Sequence, residues 1–185
     1  MDAHTETTLA AVYDGIVEHI KAAFPAFAHV EAEREDRTKP PLPACLVELA
    51  ELPGAPEDDP GTGQLAVMAS FEAFVLVGFR QPSGKSAKRE AAELAGQLAA
   101  FARLQRWGYD IGPAEVAGAW KDDFTSDRDE YEVWRVEWQQ IINLGGSVWE
   151  SDATTPTDPM LGFAPLIGPG REDDYVPIAD PVVLP

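Results

Sequence analysis

The 185-residue sequence is poor in cysteine, histidine and basic side chains. The single cysteine, Cys45, excludes an internal disulfide. Its place in the apolar run Ala44-Cys45-Leu46-Val47 marks it as a buried structural thiol, whose raised pKa would make it a poor nucleophile. The three histidines, His4, His19 and His29, are scattered and lack metal-ligand spacing. Fourteen Lys and Arg stand against thirty-two Asp and Glu, a net charge of −18. Gripping nucleic acid requires basic clusters that release counterions from phosphates, and the densest basic group here is only Lys85, Lys88 and Arg89. Long apolar runs are missing too. Nothing approaches the ~20 residues needed to span a bilayer, and Met1–Glu6 lacks the basic and apolar regions of a signal peptide. The expectation is a protein made and folded in the cytoplasm, without a membrane partner.

Catalytic signatures are equally scarce. The segment Gly78-Phe79-Arg80-Gln81-Pro82-Ser83-Gly84-Lys85-Ser86 follows an apolar strand and opens a helix, the context of a phosphate-binding loop. A phosphate loop has four residues between its first Gly and the Gly-Lys pair; here there are five, and Pro82 removes a backbone donor. A capped strand-to-helix turn explains the same residues. The acidic run Asp122–Glu132 lacks the alternating order of a calcium loop and reads as solvated turn carboxylates. No nucleophile elbow, zinc-protease helix or dinucleotide fingerprint is present. The sequence therefore nominates no catalytic residue, no cofactor-binding residue and no metal ligand.

What is present is a regular alternation of helix and strand patterns. Leu9, Val12, Tyr13, Ile16, Ile20 and Phe24 recur at helical spacing over 7–24, and Pro25 stops the run. A short strand is expected at 28–33, followed by a stiff proline connector at 38–43. Residues 44–51 read as a strand with Cys45, Val47 and Leu49 on one face. After a Pro/Gly-rich loop, a long strand over 64–79 carries Leu65, Val67, Ala69, Phe71, Ala73, Val75, Val77 and Phe79 with period two. The two strands form a large hairpin. A second helix over 86–106 places Ala91, Leu94, Ala95, Leu98 and Phe101 on its apolar stripe. Ser83 or Ser86 can cap it, Arg103 and Arg106 suit its C-terminal end, and Gly108 can close it. A short strand near 114–119 and a last strand over 131–144 follow. The last strand puts Trp134, Val136, Trp138, Ile142 and Leu144 on one face, and Tyr131, Val133, Arg135, Glu137 and Gln139 on the other. This order predicts an α+β fold, a mostly antiparallel sheet with two main helices packed on one side, over residues 1–145. Residues 146–185 hold seven prolines and no periodicity, with seven acids against Arg171, a net −6. They read as an extended C-terminal arm rather than a second domain. Trp149, Met160, Leu161, Phe163, Leu166, Ile167, Tyr175, Val176 and Ile178 are too many apolar groups for a purely solvated tail.

Three blocks carry a resemblance: Leu104-Gln105-Arg106-Trp107-Gly108, then Val116 to Phe124, then Tyr131 to Gly145 with Tyr131-Glu132-Val133-Trp134-Arg135-Val136-Glu137-Trp138 at its head. Together they resemble Mu-like phage and prophage tail terminators, which are related in architecture to the lambda minor tail protein U. The similarity spans the first helix to about Gly145, and more loosely Leu161-Gly162-Phe163-Ala164-Pro165. It implies a virion protein of the tail that forms a homo-hexameric ring, caps the tail tube protein and meets a head–neck connector protein, with DNA passing through the lumen without specific binding. It implies no enzyme and no cofactor. Two other classes fit the composition: another neck or tail-completion ring protein, and an acidic inhibitor or immunity protein that mimics nucleic acid. A small enzyme would rest on the misspaced Gly78–Ser86 segment alone.

Overall fold

The computed structural model describes residues 7–32, 39–79, 84, 86–122, 130–147 and 160–177. The chain divides into two compact units, Met1–Trp149 and Glu150–Pro185. The first unit opens with helix α1 (Leu9–Ala23). At its N-cap the Thr8 hydroxyl accepts from the Ala11 amide at 3.2 Å, which satisfies one of the orphan donors of the first turn. Val12, Ile16 and Ile20 are fully buried along one stripe. Strands β1 (His29–Ala32), β2 (Ala44–Glu51) and β3 (Leu65–Gly78) come next, then helix α2 (Ala87–Ala102), β4 (Glu115–Lys121) and β5 (Tyr131–Leu144).

The five strands form one sheet in the order β1-β2-β3-β5-β4. β3 and β5 pair antiparallel along their whole length, from Leu65↔Leu144 to Gly78↔Tyr131. β2 pairs antiparallel with β3 and β4 with β5, while β1 runs parallel to β2. The fold is α+β, with a mostly antiparallel sheet and both helices on one face. That face supplies Cys45, Val47, alternate β3 residues from Val67 to Val77, and Val136, Trp138 and Ile142; Val12, Ile16 and Ile20 of α1 and Ala91, Leu94, Ala95 and Leu98 of α2 close over them.

Three expectations are corrected. The period-two apolar run is buried from Val67 to Val77, but its two terminal members, Leu65 and Phe79, are 61 % and 41 % exposed. Trp134 is only partly buried, whereas Trp138 is 1 % exposed. Helix α2 ends at Ala102 instead of Arg106. The Leu104 amide donates to the Ala114 carbonyl and the Ala114 amide to that of Gln105, so donors and acceptors of a further turn are used to tie the chain to the start of β4. Leu104 and Trp107 take positive φ values of 66° and 53° there. Arg106 leaves the helix end and donates to the Ile111 carbonyl at 2.7 Å. Ser86 holds the N-cap of α2 without a side-chain hydrogen bond; Ser83 lies outside the described residues.

In the second unit, β6 (Met160–Leu161) pairs antiparallel with β7 (Val176–Pro177). Tyr175 is its centre. The Tyr175 hydroxyl accepts from the Gly168 amide at 3.0 Å, and its ring lies so close to Gly162 that a Cβ there would meet it at 2.8 Å.

Candidate interaction face

Among the described residues, those that sequence reading weighed for chemistry do not converge. Cys45 is completely buried, and loss of solvent pushes its thiol up to about 12. His19 on α1 lies 2.7 Å from the Gly15 carbonyl through Nδ1 and meets the Trp107 ring edge-on. His29 on β1 pairs with Glu31 at 2.9 Å. Of the Gly78–Ser86 segment, Arg80, Gln81, Pro82, Ser83 and Lys85 lie outside the described residues, as do 123–129 of the acidic turn and His4. Among the described residues, no three His, Cys, Asp or Glu side chains gather where a metal could be held. A surface cavity of about 450 Å³ is lined, among the described residues, by Ser86, Arg89, Glu90 and Glu93, with Arg89 paired to Glu93 at 2.9 Å.

The distinctive surface is the sheet face opposite the helices. Its centre is a cross-strand row in which Glu48 of β2 stands opposite Glu72 of β3, and Glu72 opposite Glu137 of β5. Directly opposed side chains lie roughly 4.5–5.5 Å apart at Cβ, so like charges there repel. Arg135 relieves this. Its guanidinium reaches Glu72 at 3.1 Å and Glu137 at 2.8 Å, a forked geometry that suits two carboxylates at once. Glu31 of β1 and Glu115 of β4 project from the same face, because they pair with Leu46 and Gln139. Every strand thus contributes at least one glutamate. A shallow cavity of about 210 Å³ opens among Glu51, Ser70, Glu72, Ala117 and Glu137.

One end of this face is apolar. Ala44, Leu76 and Val133 are buried there, and Leu42, Leu46, Phe74 and Tyr131 pack around them partly buried. Lys39 lies over the Tyr131 ring, 5.7 Å from its centroid, and pairs with Glu130, whose carboxyl its ammonium holds below the usual range through a hydrogen bond and charge. At the edge, β4 carries a bulge between Val116 and Gly118. The Trp120 indole lies against Gly118, where a Cβ would meet it at 2.9 Å, and stays 44 % exposed.

Sequence reading missed a buried polar clasp. The Trp107 indole N–H donates to Gln140 Oε1 at 2.9 Å, and Gln140 Nε2 donates to the carbonyls of Gln105 and Gly112. The signal was a lone glutamine in register with Trp138 and Ile142 on the apolar face of β5. No protein-family model matches this chain, and no curated protein matches it significantly. None of its described helices is long and apolar enough to cross a membrane.

The second unit presents the other conspicuous surface. Met160, Leu161, Phe163, Leu166 and Ile167 are between 43 % and 64 % exposed within eight residues. Scattered apolar residues on a surface are ordinary, but a contiguous set of this kind marks an interaction site.

Proposed function

We propose that the protein is a structural subunit of a phage-type tail, a tail terminator whose copies form a ring that caps the tail tube and meets the head–neck complex. The observation that carries this reading is the physical unity of the resembling blocks. Leu104–Gly108, β4 and β5 are separate, successive stretches of sequence, and the Trp107–Gln140 hydrogen bond and the β4–β5 ladder join them into one packed body. A shared packing pattern, with no catalytic group in it, suits a subunit whose work is to present surfaces.

The glutamate-bearing sheet face supports a place beside passing DNA. Carboxylates aligned across a sheet set up a negative potential that repels phosphates instead of holding them, as a lumen requires. The same face favours a second reading, an acidic inhibitor that mimics nucleic acid. The two differ in stoichiometry: a ring is a closed homo-oligomer, a mimic forms a complex with a DNA-binding protein. Negative-stain microscopy of the purified chain is expected to show rings, and a phage lacking the gene is expected to make tails of uncontrolled length. Tails of normal length from such a phage would refute the terminator reading.

A further inference from the structure

We draw no further inference here: the strongest candidate, the exposed apolar patch of Met160, Leu161, Phe163, Leu166 and Ile167 on the hairpin of the second unit, carries nothing because nothing in the structure shows what covers it.

Discussion

Trp107 and Trp138 lie 5.8 Å apart in the core, but their indole N–H groups have different fates. That of Trp107 is bonded to Gln140. That of Trp138 is buried with no partner among the described residues, while its ring stacks on Phe71 at 5.6 Å. Replacing Trp107 by Phe leaves Gln140 Oε1 buried and unpaired, a loss of about 2–4 kcal/mol with the cavity included. Replacing Trp138 by Phe removes an unpaired donor along with the volume, and about 1–2 kcal/mol is expected. Urea midpoints would compare them, and equal losses would show that the clasp contributes nothing. Cys45 makes a second residue-level prediction. Its thiol is raised by burial from 9.0 to about 12, so the proton is held more tightly in the folded state. The stability this contributes is complete below pH 9, declines as the unfolded thiol ionises, and is lost as pH rises through 12. Cys45→Ala should flatten that alkaline decline, and Ellman's reagent should leave the native thiol untouched at pH 8. Rapid native labelling would mean that the thiol is not sealed.

At the scale of elements, α1 docks through a glycine. A Cβ on Gly15 would lie 2.6 Å from the Trp107 carbonyl and 2.6 Å from the Tyr109 ring, so the helix touches the 103–114 loop backbone to backbone. Gly15→Ala gains up to about 1 kcal/mol of helix propensity and meets an overpacking penalty of about 1–3 kcal/mol. The clash involves a carbonyl that cannot swing away, so a lower melting temperature is expected; a higher one would show that the loop gives way freely. This contact illustrates what was legible in the sequence. Strands β2, β3 and β5 and both helices could be read because their burial repeats with period 2 or 3.6, and Val67, Phe71, Leu94 and Trp138 are buried as that periodicity requires. The loop carrying Trp107 has no period, so nothing local distinguished a core tryptophan from a surface one. The parallel pairing of β1 was equally hidden, since four residues do not encode direction. Sequence placed Arg135 and Glu137 on the face away from the core, but the row they form with Glu72 and Glu48 exists only through register.

At the scale of the whole molecule, charge opposes the six-membered ring proposed above. Six copies carry 6 × −18 = −108 charges, and gathering them costs repulsion that salt screens over roughly 8–10 Å. Light scattering across a salt series is expected to show association strengthening from low to moderate salt. Association that weakens steadily would mean that ion pairs hold the copies together. The bulge at the β4 edge bears on a different hazard. A sheet with a bare edge invites further strands, and unlimited accretion of that kind ends in fibrils. Here the register of the edge strand shifts between Val116 and Gly118. An arriving strand would meet a ladder that no longer keeps step. The bent edge thus breaks, on the β4 side of the sheet, the regular register that a further strand would need in order to add to it.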